Sequence, residues 1–318
     1  MKPNIILKSL LSTQSLSNLI ADMYHLKYIS KINLLKAGFN DIYKINTTDN
    51  KYILKIYPIN KLKSDLIFEK EFSIYLDKQG LKTLTILQNK SGQHLTQLNY
   101  PEGARYAILM LYIGGEELQY KNKEDSFLYG MSIAKLHRSS KNFMFVKKNK
   151  NIDLYDMLKI SKENITSFLD KKNDLLFFQE FINKLSIKLN KIPLSELTSL
   201  CCHGDLHGGN VLKSNNELYF FDFDFSGYGL LSYELSVFKW ACIIGRREKQ
   251  WEEFINGYES ISKIKEIDLK YLILFIAIRD LFVMSNYIKR IDTIGLEVIN
   301  QGYIQKRIQF LKHIETIL

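Results

Sequence analysis

The chain has 318 residues, 46% hydrophobic and 25% charged, with 44 Lys and Arg against 34 Asp and Glu for a formal net charge of +10. That is the composition of a folded protein long enough for one large core or two lobes, and it argues against extended disorder. The basic residues are scattered and form no arginine-rich arm, so neither nucleic acid nor a membrane surface is an expected partner.

Three cysteines, Cys201, Cys202 and Cys242, include an adjacent pair and no C-x2-C spacing, which suits neither a disulfide framework nor a zinc site. Apolar residues at 1–11 are interrupted by Lys8 and no small-residue cleavage site follows, so no leader is expected. The longest apolar runs, 106–113 and 271–278, are too short to span a bilayer, which makes the cytoplasm the expected location.

Leu16, Leu19, Ile20 and Met23 recur at helical spacing, predicting a helix over 13–26 capped by Ser12 or Thr13. Strands are predicted at 28–35, 42–47 and 51–57, joined by a turn at 36–41 and a hairpin turn at Thr48-Asp49-Asn50. The first turn holds one glycine, Gly38. It suits a loop whose amides approach phosphate closely, and equally a plain hairpin turn. Lys55 lies on an apolar strand face with Ile53 and Tyr57, where a cation needs an anionic partner or a route to solvent. A helix at 63–78 follows, with Phe68, Phe72, Tyr75 and Leu76 as its inner face. Further strands are predicted at 83–88, 93–98 and 106–112, completing a small, mostly antiparallel sheet. Gly114-Gly115-Glu116 then follows, and a domain boundary is expected near 113, giving lobes 1–113 and 114–318.

Beyond that point the pattern is helical, with segments at 125–139, 153–169, 174–190, 230–244, 251–258, 269–287 and 303–318. Gly130 permits close helix packing, and His137 reads as a core histidine with a structural hydrogen bond. Arg279-Asp280, inside an apolar helix, reads as a buried pair, with a cleft-facing role as the alternative. Short strands at 211–212 and 218–221 flank the most informative stretch. His203-Gly204-Asp205-Leu206-His207-Gly208-Gly209-Asn210, then Phe221-Asp222-Phe223-Asp224, packs carboxylates between hydrophobic runs. Buried charges are costly unless paired, so this clustering suggests a bound cation. Asp-x4-Asn is the pattern of the kinase catalytic loop.

The loop Asp205-x4-Asn210 with Asp222 resembles the aminoglycoside phosphotransferase and choline kinase group of protein-kinase-like enzymes. His203-Gly204-Asp205 in place of His-Arg-Asp, and Asp222-Phe223-Asp224 in place of Asp-Phe-Gly, favour that small-molecule branch. The resemblance implies an α+β, two-lobed protein-kinase-like fold, with a small antiparallel-sheet N-lobe and a larger, mostly helical C-lobe. It implies ATP or another nucleoside triphosphate with Mg2+ as cofactors, and a small-molecule hydroxyl acceptor such as an aminoglycoside, homoserine or choline. Asp205 would take the acceptor's proton, and Asn210 and Asp222 would hold the metal. Lys55 would hold the α- and β-phosphates, with Glu69 as its ion-pair partner and Glu71 as the alternative. Gly38 would lie over the phosphates, and the main chain at Leu111 and Ile113 would meet the adenine edge. Glu234 stands where the family has an aspartate that buttresses the catalytic loop. Asp224 reads as a further ligand or a substrate contact, and His203 and His207 as residues that shape the loop. The rival readings are a bacterial stress-response serine/threonine protein kinase, a metallohydrolase and a degenerate pseudokinase.

Overall fold

A computed structural model describes residues 6–120, 122–146 and 150–318; the first five residues of the apolar N-terminal stretch lie outside these. The chain divides into two compact units, one running to Glu116 and taking in Leu212–Asp224, the other made of Glu117–Val211 and Phe225–Leu318. The first is built on an antiparallel sheet and the second is mainly helical, an α+β fold.

In the first unit, β1 (Ile29–Ala37), β2 (Asp41–Thr47), β3 (Lys51–Ile56), β4 (Thr96–Tyr100) and β5 (Gly103–Leu111) form a sheet in the order β1-β2-β3-β5-β4. Alternation along β3 sends Leu54 and Ile56 into a core shared with Leu16 and Ile20 of α1 (Thr13–Met23). Ser12 caps α1 by accepting from the Ser15 N–H. Tyr57 and Ile53 pack on the other face with Leu66 of α2 (Lys63–Lys78). Lys55 shares that second face, paired in register with Ile42 and Ile108, so it enters the layer beneath α2.

The strand expected at 83–88 is reduced to single bridges, Thr83 to Phe220 and Ile86 to Met110. The edge of β5 explains this. Strand β4 covers it only from Gly103 to Ala107, and the leftover length is taken by Leu87 N–H donating to Leu109 O and Leu111 N–H to Thr85 O. The expected 93–98 strand lies two to three residues later, as β4. Strands β8 (Val211–Ser214) and β9 (Glu217–Phe220), which follow the two-residue β6 (Glu116–Glu117) and β7 (Ser199–Cys202) in chain order, return the chain to this unit. There Phe223 sets its ring edge-on against Phe72 at 5.7 Å.

In the second unit, α4 (Leu154–Phe168), α5 (Lys172–Leu189), α6 (Leu231–Ile244), α9 (Leu272–Ile288) and α11 (Gln301–Thr316) enclose one apolar core. The pair α3 (Lys123–Ser140) and α7 (Glu248–Glu259) packs beside β7, which is joined to β10 (Gly227–Leu230). A Cβ on Gly130 would fall 2.0 Å from the Phe254 carbonyl, so α3 and α7 touch backbone to backbone there. The segment expected as one helix over 269–287 is two, α8 (Glu266–Lys270) and α9, parted at Tyr271. The short α10 (Ile291–Ile294) precedes α11. Among the described residues no helix is long and apolar enough to cross a membrane.

Candidate active site

The chemistry-bearing residues fall into two constellations, one in each unit. In the first, Lys55 is buried and its ammonium donates to Glu69 Oε1 at 2.9 Å, Asp222 Oδ1 at 2.8 Å and Asp224 Oδ1 at 2.6 Å. Tyr57 adds a hydroxyl bond to Glu69 Oε1 at 2.9 Å. Glu69 is therefore the carboxylate that meets the strand lysine. Glu71 is exposed and bonds Lys70. The helix period decides between them, because Glu69 follows Phe68 and precedes Phe72 on the buried stripe while Glu71 turns outward.

Burial opposes the charge on Lys55, but Asp222, Asp224 and Glu69 outweigh it and hold the ammonium well above the usual lysine range. Burial, and after it the charge of Asp224, pushes Glu69 up to about 7. For Asp224 the balance is reversed: Lys55 and Lys61 outweigh burial and keep its carboxyl well below the usual range. Asp224 also accepts from Asn40 Nδ2 at 2.8 Å, and its carbonyl accepts from Lys61 Nζ at 3.1 Å. Asp222 is the open member of the set, with 37% of its side chain accessible and a left-handed backbone at φ 64° that aspartate tolerates.

Ligand oxygens of Glu69, Asp222 and Asp224 all lie within 4.8 Å of one another. An all-carboxylate set carrying more negative charge than Lys55 offsets suits a hard divalent cation such as Mg2+ and does not suit zinc, which favours nitrogen and sulfur. The expected metal pair was Asn210 and Asp222; the first unit surrounds Asp222 with two further acids.

Gly38 sits in the β1–β2 turn, where its N–H donates to Asn40 O at 3.2 Å and its carbonyl accepts from Lys8 Nζ at 2.9 Å. A Cβ there would meet only the Lys36 side chain at 3.5 Å, an ordinary contact, so the unit's own packing does not demand glycine. At the end of β5, the Leu111 N–H is taken by Thr85 O; Ile113 follows in a half-buried loop.

The second constellation is the loop after β7. Gly204, at φ +81°, has no room for a side chain, since a Cβ would fall 2.2 Å from Phe225 O. The preceding peptides are held from α6: Glu234 accepts the His203 N–H and the Gly204 N–H, both at 2.8 Å. Glu234 is 1% exposed and lies 3.7 Å from His137 Nε2, while His137 Nδ1 meets the Tyr258 hydroxyl at 3.0 Å. Glutamate thus fills the buttressing role expected of aspartate, and His137 is the structural core histidine that its helix pattern implied.

Asp205 is approached from two sides. Asn210 Nδ2 donates to its Oδ2 at 3.1 Å and to its carbonyl at 2.9 Å, while the Arg279 guanidinium bonds Oδ1. His207 Nδ1 accepts the Gly209 N–H at 3.0 Å, which places the ring proton on Nε2, 3.5 Å from Asp205 Oδ2. Burial opposes ionisation of Asp205, but Arg279 first, and then His207, outweigh it and hold the carboxyl well below the usual range. With its amide nitrogen turned to Asp205, Asn210 keeps its amide oxygen as the atom to offer a cation.

Arg279 and Asp280 do not pair with each other as expected. They are adjacent on α9, so their side chains point about 100° apart, and each finds its own partner. Arg279 goes to Asp205, and Asp280 Oδ1 accepts from Trp240 Nε1 at 2.9 Å and Arg307 Nη1 at 2.6 Å. Their presence in an apolar helix was the available signal; the partners, far away in sequence, were not readable. Cys201, Cys202 and Cys242 are buried and free, as their spacing implied.

An antiparallel sheet unit presenting a lysine–glutamate pair, with a helical unit carrying an Asp-x4-Asn loop, defines a kinase-like phosphotransferase. The model of the phosphotransferase enzyme family matches residues 31–267, and the chain belongs to that family. An uncharacterized protein of Deinococcus radiodurans is 27% identical over 96% of this chain and 90% of its own length. Among solved structures, an amicoumacin kinase in complex with AMP-PNP, Ca2+ and Ami superposes with a TM-score of 0.80 at 18% identity, covering 96% of this chain and 94% of that one. A microcompartment-associated aminopropanol kinase gives 0.73 at 16% identity, covering 95% of each chain.

Proposed function

We propose that this phosphotransferase moves the γ-phosphate of ATP to a hydroxyl group of a small molecule, in the cytoplasm, where its three free buried cysteines stay reduced. The observation that carries the reading is Lys55, buried between Glu69 and the Asp222-x-Asp224 pair, because such a lysine is the phosphate-holding group of kinases. Support for ATP comes from the AMP-PNP complex of the amicoumacin kinase, and support for a small acceptor from the amicoumacin and aminopropanol kinases themselves.

In this reading Lys55 holds the α- and β-phosphates, the backbone at Gly38 lies over them, and the main chain at Leu111 and Ile113 meets the adenine. Asp222 and Asn210 would hold Mg2+, with Asp224 as a further acid, and the ion would supply charge neutralisation for the nucleotide phosphates. Asp205 accepts a hydrogen bond from the acceptor hydroxyl and takes its proton as the new O–P bond forms and the bond to the ADP oxygen breaks. The low proton affinity that Arg279 gives Asp205 suits an orienting acceptor whose protonation comes late.

A thermal-shift screen with Mg-ATP and a panel of amino alcohols, hydroxy acids, amino sugars and choline tests this, followed by ADP release with each hit. Stabilisation by Mg-ATP, with acceptor-dependent ADP release that is lost in Asp205→Ala, is the expected result. Mg-ATP that leaves the melting temperature unchanged would sink the proposal. Phosphate transfer to casein, with none to any small hydroxyl, would replace it with a protein-kinase reading.

A further inference from the structure

Arg279 is a buried cation delivered by α9 to the carboxylate that the proposed reaction uses, and nothing in the loop motif calls for it. Its neighbours make it a built feature. Tyr233 interacts with it electrostatically, and its guanidinium lies 5.7 Å from the centre of the Trp240 ring. Trp240 is in turn fixed by Asp280, and Asp280 by Arg307. Asp280, about 100° round the helix from Arg279, bonds Arg307 and Trp240, and the Arg279 guanidinium bonds Asp205 Oδ1. Asn210 meanwhile holds Oδ2, so the carboxylate plane is clamped at both ends.

We propose that Arg279 is a positioning residue for Asp205: with one oxygen on the guanidinium and the other on the Asn210 amide, the carboxylate is held in the plane from which it meets the acceptor hydroxyl. This deepens the phosphotransferase reading and rests on it. The charges of Arg279 and Asp205 offset each other, so what the guanidinium supplies is orientation. A carboxylate free to turn would meet the hydroxyl in only a fraction of its orientations, so loss of the clamp lowers kcat and leaves nucleotide binding alone.

The test uses the full chain, Mg-ATP and the acceptor of the panel that gives most ADP release in the wild type, with ADP release as the readout. R279M is expected to lose about 100-fold in kcat and to keep its Mg-ATP KM within about threefold. R279K, which keeps the charge without the fork, is expected to recover part of that kcat. A kcat that stays within about threefold of wild type in R279M overturns the assignment. So does a kcat loss matched by a rise in Mg-ATP KM and a collapse in melting temperature, which would mark Arg279 as structural. If wild type releases no more ADP than Asp205→Ala with any acceptor, the phosphotransferase reading itself fails, and this assignment with it.

Discussion

Lys55 and Arg279 are both buried cations bonded to candidate reaction groups, yet their surroundings differ in charge balance. Lys55 is shared by three carboxylates, Glu69, Asp222 and Asp224, one of them open to solvent. Arg279 serves one carboxylate, which Asn210 and His207 also approach. The first cluster sets three carboxylates against the ammonium of Lys55, with Lys61 reaching the Asp224 carbonyl. The second is balanced, one guanidinium against one carboxylate whose other oxygen Asn210 holds.

The comparison breaks most visibly at Asp205. Asp205→Asn should lower kcat by about 10^3, within the range for loss of a general base, while the Mg-ATP KM stays within about threefold; steady-state kinetics would separate the two. Lys55→Met leaves three carboxylates facing one another and should cost about 3 kcal/mol, read by urea denaturation, with Mg2+ restoring part of the loss. An unchanged midpoint would mean that the acids shed their charge instead. Glu234→Ala strands two buried N–H groups and should cost about 2–4 kcal/mol, with kcat falling in the protein that remains folded. Gly130→Ala, which forces apart α3 and α7, should cost about 1–3 kcal/mol with kcat unchanged after correction for the folded fraction.

The smallest effect is one of pH. Folded Glu69 has its pKa raised from 4.5 to about 7, so between those values the native state binds more protons than the unfolded chain. Its contribution to stability is present below about 4.5 and is lost as pH rises through about 7. Denaturation at several pH values should give Glu69→Gln a flatter profile than wild type over that window.

Periodicity made most of the fold legible: α2 begins and ends where its apolar stripe does, and β1, β2 and β3 fall within a residue or two of their patterns. The misread strand at 83–88 depends on how much of one β5 edge another strand covers, which no local pattern encodes. The same divide runs through the candidate site. Asp205, Asn210 and Asp222 stand out because acids and amides are rare between apolar runs, and the stripe of α2 turns Glu69 inward. By contrast, Arg279 on Asp205 and Asn40 on Asp224 join residues far apart in the chain, and only tertiary packing creates them. Glu234 lay between these cases: its position was readable, its grip on two loop peptides was not.

The return of Leu212–Asp224 to the sheet unit has a consequence for how the protein is made. Until those residues leave the ribosome, Thr83 lacks its bridge to Phe220, Phe72 its ring neighbour Phe223, and Lys55 two of its three anions. At ordinary elongation rates the wait after Glu116 is about 5–20 s, so the nascent first segment spends that time with Lys55 under-neutralised. A fragment ending at Glu116 should for the same reason be a poor surrogate for the first unit.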